Sequence, residues 1–207
     1  MNTAQPAPHM NKISAHIVLA SKSPRRQELI KGLELNYSIH TYDVDESFPS
    51  HLKAEAIALY LAEKKADAFP GNLSNHEILV TADTIVWIND QVLNKPIDEN
   101  DSFSMLKQIC GATHQVYTGV CIKTHAQKQL FFDKTDVTCR YMSDDELWYY
   151  IKNYHPFDKA GSYGIQDWFG YTAVERIHGC FYNVMGLPVG KLYQAIKRLE
   201  TDTESFE

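Results

Sequence analysis

Five consecutive residues, His16–Ala20 (HIVLA), are almost wholly apolar, and this run constrains the fold more than any other stretch of the chain. A half-exposed strand would alternate apolar and polar positions; an unbroken short run reads as a strand buried on both faces. Ser21–Pro24 breaks it, and Pro24 suits the first turn of a helix, where a fixed φ helps and a missing N–H costs nothing. That helix, Arg25–Lys31, ends at Gly32, a residue type suited to the left-handed closing position. A half-exposed strand over Tyr37–Asp43 and a helix over His51–Phe69 follow, stopped by Pro70-Gly71. Glu77–Ile88 (EILVTADTIVWI) reads as a strand interrupted by the polar triplet Thr81, Asp83 and Thr84. Asn89-Asp90 is a turn signal before Gln91–Leu93.

Further along, Asp98 can cap a helix running to Cys110 and closed by Gly111, and His114–Lys123 with Gln129–Tyr141 reads as a long hairpin. Ser143 and Glu146 make a capping-box signature for a helix to Asn153. Phe157–Gly170, rich in glycine and aromatics, has the character of a functional loop. Tyr171–Ile177 and Phe181–Val184 read as short strands, and Pro188 opens a last helix to Leu199. Strands and helices alternate first and hairpins follow, which predicts one α/β unit with a mixed, partly antiparallel twisted sheet and flanking helices.

The chain has 207 residues, 44% of them apolar, enough for one domain with a sizeable core over residues 15–200. Residues 1–14 read as a flexible tail without a signal-peptide core, and 201–207 as a loose acidic tail. No apolar run reaches the roughly 20 residues of a membrane span. Twenty Lys and Arg against 26 Asp and Glu leave a net charge of −6, which argues against wrapping polymeric nucleic acid. Cys110, Cys121, Cys139 and Cys180 contain no Cys-x-x-Cys pair. They read as buried free thiols of a cytoplasmic protein, with a disulfide framework as the alternative.

Three segments carry chemistry. Ser21-Lys22-Ser23-Pro24-Arg25-Arg26 joins a buried strand to a helix N-terminus, where backbone N–H groups and the helix dipole attract anions. Two hydroxyls and two guanidiniums add donors shaped for phosphate oxygens, although a surface helix start with solvated arginines would look the same. It is not a Walker loop, lacking the required glycines. Asp83 stands in an otherwise apolar strand, where an unpaired carboxylate would cost several kcal/mol, so a cation or a metal must face it. Lys95 and Glu46 are candidate neighbours, and a purely structural bridge is the alternative. Lys64 and Lys65 end a helix, where cations often merely complement the dipole. In Asp158–Gln166 (DKAGSYGIQ), glycines permit close backbone approach, and the Gln166 amide matches the imide edge of uracil or thymine. The nine histidines show no metal-ligand spacing.

Taken in order, LASKSPRRQELI (19–30), VDE (44–46), AEKKA (62–66), TADTIV (81–86), LNKP (93–96), HQVYTGV (114–120) and DKAGSYGIQ (158–166) resemble the Maf family of nucleotide pyrophosphatases. The resemblance implies a deep cleft between two lobes, in an architecture related to inosine-triphosphate pyrophosphatases. It implies hydrolysis of a nucleoside triphosphate to the monophosphate and pyrophosphate, with Mg²⁺ or Mn²⁺ as cofactor. Matched by position, Asp83 is the proton acceptor, with Glu46 and Lys95 beside it. Ser21, Ser23, Arg26 and Lys65 bind phosphate, and Arg25, Thr84 and Gln166 select dTTP and UTP. Chemically, the carboxylates of Asp83 and Glu46 are the candidates to hold the metal. A homodimer is a further implication. A 7-methyl-GTP pyrophosphatase, or a nucleotide-binding regulator of cell division without turnover, remains the alternative. The chain departs from the family after Gln166, where Asp167-Trp168 replaces a usual glycine.

Overall fold

The computed structural model describes residues 13–204. Seven strands, β1 (His16–Ala20), β2 (Tyr37–His40), β3 (Glu77–Ile88), β4 (Gln91–Leu93), β5 (Thr113–Lys123), β6 (Lys128–Cys139) and β7 (Val174–His178), form one mixed sheet. Its main order is β2-β1-β3-β5-β6-β7, with β4 also on β3. β1 runs parallel to β2 and β3, and the remaining pairs are antiparallel. Among the described residues seven α-helices flank the sheet: α1 (Pro24–Lys31), α2 (Glu55–Asp67), α3 (Glu99–Ile109), α4 (Asp144–Tyr154), α5 (Trp168–Ala173), α6 (Phe181–Met185) and α7 (Val189–Glu204).

β1 is covered on both sides, as its composition requires. Ile17 and Leu19 enter the large core that includes Ile30, Leu106, Leu147 and Leu192, while Val18 and Ala20 pack with Ala62, Ala66 and Leu79 beneath α2. α2 adds Ile57, Ala58 and Leu61 against Ile85 and Tyr117. Each of the larger buried side chains contributes about 2 kcal/mol of hydrophobic stabilisation. Close approach of α2 depends on Gly119 of β5, because a Cβ there would lie 2.3 Å from the Ala58 carbonyl oxygen. The first turn of α2 is thereby brought against β5, and its last turn carries Lys65 to Asp83 in the middle of β3.

The edge pairing of β3 creates an opening. Along one edge β5 accompanies Leu79–Trp87. On the other, β1 covers Glu77–Val80 and β4 covers Val86–Ile88, leaving 81–85 without a strand partner. β3 is continuous through this stretch, so the polar triplet does not interrupt the strand. It marks the place where the neighbouring strands stop. Asn89 and Asp90 both take positive φ (51° and 62°), the two-residue turn that returns β4 onto β3.

Several boundaries differ from the sequence reading. β2 stops at His40, and α2 begins at Glu55 because Ala54 has φ 45°. Gly32 closes α1 with an ordinary φ of −66°, and the left-handed residue is Glu34. Tyr171–Ala173 belongs to α5, so β7 starts only at Val174. Phe181–Val184 is helical rather than extended. Its aromatics favour a strand, but the helical turn directs Asn183 inward, where Nδ2 donates to the Val116 carbonyl and to Thr135 Oγ1, each at 3.0 Å. All four cysteines are free; Cys121 and Cys139 are buried, whereas Cys110 and Cys180 are only half-buried. Among the described residues no helix is long and apolar enough to cross a membrane. Most of the tail expected over 1–14 lies outside the described residues. Its last two residues do not: Ile13 is buried and the Ser14 hydroxyl donates to Glu200 at 2.9 Å. The acidic tail is helical through Glu204, and 205–207 lie outside the described residues.

Candidate active site

The partnerless edge of β3 opens into a cleft of about 580 Å³. Ser21, Ser23, Arg25, Arg26, Glu46, Lys65, Asp83, Thr84, Lys95 and Gln166 all line it, so the ten residues singled out in sequence converge on one site. Strand alternation sends Asp83 and Thr84 to opposite faces of the sheet. Asp83 meets α2, while Thr84 meets α1 and the residue after α6. Only at an open strand edge can one ligand reach both faces.

On the α2 face, Lys65 Nζ donates to Asp83 Oδ1 at 2.6 Å and to Glu46 Oε1 at 2.8 Å, and Lys95 donates to Glu46 Oε2 at 2.9 Å. The cation facing Asp83 is therefore Lys65, not Lys95, and Glu46 reaches it only through that shared ammonium. Lys65 does more than complement a helix dipole. Its backbone is fixed by the Tyr42 hydroxyl, which donates to the Lys65 carbonyl at 2.6 Å. Burial opposes the Glu46 charge, but the hydrogen bonds from Lys65 and Lys95 outweigh it and hold its pKa down at about 2.

On the other face, Arg26 Nε donates to the Gly186 carbonyl at 2.7 Å and Nη2 to Thr84 Oγ1 at 2.9 Å. Thr118 Oγ1 donates to the Asn183 carbonyl at 2.9 Å, so in the 2.9 Å contact between the two threonines it is Thr84 that donates. A directed series results: Arg26 to Thr84, Thr84 to Thr118, Thr118 to Asn183. Thr84 thus spends its hydroxyl on the arginine. Burial, with neighbouring Arg25, lowers the Arg26 pKa from its ordinary value, and nearby Asp83 and Glu46 act in the opposite direction.

The serines sit where the helix start needs them. Ser23 is the N-cap of α1, accepting from Arg26 N at 3.5 Å, and its own N–H donates to Ser21 Oγ at 3.2 Å. Arg25 reaches across the cleft to Asp158, with Nη1 to Oδ2 at 2.9 Å. Gln166 Oε1 is buried and has no hydrogen-bond partner in the protein. Asp158, Lys159, Tyr163 and the Gly186 carbonyl also belong to the site and received no role from sequence. Asp158 lay inside the glycine-rich segment already noted, but nothing local tells that it pairs with a residue 133 positions away.

Among the described residues no group of three or more His, Cys, Asp or Glu side chains could hold a metal by itself. The donor set nevertheless suits a hard cation shared with phosphate. Asp83 and Glu46 converge on one positive charge, that of Lys65, and Mg²⁺ commonly takes only one or two carboxylates alongside substrate oxygens.

A family model described as "Maf-like protein" matches residues 16–199. The dTTP/UTP pyrophosphatase of Flavobacterium johnsoniae is 50% identical over 183 residues, covering 88% of this chain and 94% of that protein. The dTTP/UTP pyrophosphatase of Bacteroides fragilis strain YCH46 is 48% identical over 184 residues, covering 88% and 95%. Among solved structures, the Staphylococcus aureus Ham1 protein gives a partial likeness: TM-score 0.42, 13% identity, 60% of this chain and 71% of that one.

Proposed function

Because the chain belongs to the Maf family, we propose that it hydrolyses dTTP and UTP to the nucleoside monophosphate and pyrophosphate, as the names of its relatives say of them. The observation that carries this reading is the convergence of a buried aspartate and four cations on the unpaired edge of β3. A triphosphate fits there between Asp83 on one side and the α1 arginines on the other.

Water attacks one phosphorus of the α–β anhydride in line, the bridging Pα–O–Pβ bond breaks so that the monophosphate and pyrophosphate separate, and Asp83 orients the water and takes its proton. Arg25, Arg26, Lys65 and Lys95 spread the charge that develops on the phosphate oxygens, and the Ser21 and Ser23 hydroxyls add neutral donors. Asp83 and Glu46 would hold Mg²⁺ or Mn²⁺, which supplies charge neutralisation and lowers the pKa of water. Arg26 arrives already oriented by Gly186 and Thr84, so little freedom is lost when substrate binds.

Base selection is supported by Gln166. Its buried Oε1 lacks a donor, and N3–H of uracil or thymine supplies one, whereas cytosine presents a bare acceptor at N3. Leaving a buried acceptor unpaired costs about 1–3 kcal/mol, which corresponds to roughly 5- to 150-fold against CTP. The cytoplasm is the compartment that four unpaired cysteines favour. Homodimerisation rests on the family resemblance and is read by sedimentation.

The test is pyrophosphate release from dTTP, UTP, CTP and 7-methyl-GTP, with Mg²⁺ and with a chelator. Metal-dependent release from dTTP and UTP above CTP supports the reading. Preference for 7-methyl-GTP, or nucleotide binding without turnover, would overturn it.

A further inference from the structure

Resting on that reading of Gln166, we infer that Asp167, with Tyr150, is the positioning residue that sets the Gln166 amide for base selection. Gln166 lies in a turn closed by Asp167 N–H donating to the Gly164 carbonyl at 3.1 Å. The Tyr150 hydroxyl secures the same turn from inside the core. It accepts from the Gly164 N–H and donates to Asp167 Oδ2, both at 3.1 Å. Tyr150 is fully buried between Trp168 and Phe169, so its oxygen is a fixed point. The Asp167 carboxylate folds so tightly over Gly164 that a Cβ there would lie 2.4 Å from Oδ2. Both ends of the turn that carries Gln166, Gly164 and Asp167, are thus tied to one hydroxyl.

The carboxylate also faces a cation. Lys159 Nζ lies 3.6 Å from Asp167 Oδ2 and 2.8 Å from Asp158 Oδ1, and the other Asp158 oxygen holds Arg25. Asp167 therefore links the turn bearing Gln166 to the wall bearing Arg25. The Asp167 and Lys159 side chains are both largely buried.

The experiment compares Asp167→Asn and Tyr150→Phe with the unaltered enzyme on dTTP, UTP and CTP, and measures competitive inhibition by inorganic tripolyphosphate. Each variant is expected to raise KM for dTTP and UTP about tenfold with kcat changed by less than about threefold, the scale of one lost hydrogen bond to a charged group. Discrimination against CTP falls by a similar factor, while Tyr150→Phe leaves tripolyphosphate inhibition unchanged because the phosphate wall is untouched. Two variants keep the test decisive if one of them does not fold. Unchanged KM and unchanged discrimination would overturn the inference, as would an equal loss of kcat on every nucleotide. An unaltered enzyme that does not prefer dTTP and UTP to CTP would instead overturn the reading of Gln166, and the inference with it.

Discussion

Replacing Lys65 by methionine separates what the buried ion pair does for folding from what it does for the reaction. The Lys65 and Asp83 side chains are only 15% and 11% exposed, so the substitution leaves the Asp83 carboxylate largely out of water with no cation 2.6 Å away. Removing one partner of a buried pair costs about 3–5 kcal/mol, and the residual exposure here trims this to about 2–4 kcal/mol. For a domain of this size that lowers Tm by about 5–15 °C. Glu46 keeps Lys95 and so adds little to the loss. Asp83→Asn added to Lys65→Met removes the stranded charge, and the double variant should recover most of the lost Tm, a coupling of at least about 1 kcal/mol. Activity behaves differently: losing either group should lower pyrophosphate release by about a hundredfold or more, and the double variant should recover none of it. Thermal denaturation and a steady-state assay on the same three proteins read both quantities. A Lys65→Met protein as stable as the unaltered one, or a double variant as unstable as the single, would refute the buried-pair reasoning.

Gly119→Ala should destabilise by about 3 kcal/mol or more, seen as a lower denaturant midpoint, because the added methyl meets the Ala58 backbone and no side chain can move aside. Thr118→Val should leave Tm within a few degrees but raise KM for the triphosphate about fivefold, because Thr84 then loses the acceptor that orients it toward Arg26. The Glu46 carboxyl titrates at about 2 when folded and near 4.5 otherwise, so its contribution is complete above about pH 4.5 and lost as pH falls toward 2. Over that window Glu46→Gln should show a shallower fall in Tm than the unaltered protein, and parallel curves would count against the pairing with Lys65 and Lys95.

Much of this architecture was legible because its signals are local. An apolar run without alternation, His16–Ala20, suits a doubly covered strand and forms one, and Ser143 with Glu146 caps a helix as their spacing predicts. Asp83 stood out because a carboxylate in an apolar strand needs an explanation. Its partner is not legible in sequence, because Lys65 reaches it only through the packing of α2 on β5, which depends on Gly119 and leaves no periodic trace. Residues Phe181–Val184 failed for a similar reason: strand-forming aromatics were overruled by two hydrogen bonds of a buried Asn183. The open edge at residues 81–85 is likewise a property of where β1 and β4 end, visible only once the register is known. The pairing of Asp158 with Arg25 leaves no sequence signal, because an ion pair between distant segments has no fixed spacing.

The most direct measurement is single-turnover pyrophosphate release from dTTP by Asp83→Asn in the presence of Mg²⁺, alongside its nucleotide affinity and Tm. Asparagine keeps the shape and can still accept from Lys65, which retains Glu46, so the protein should stay folded, and the measured affinity separates any weakening of metal-assisted binding from the chemical step. The bond-breaking step should slow by about a hundredfold to ten-thousandfold, the scale of a lost general base. Near-normal turnover in a well-folded Asp83→Asn protein would contradict the placement of the reacting water beside that carboxylate.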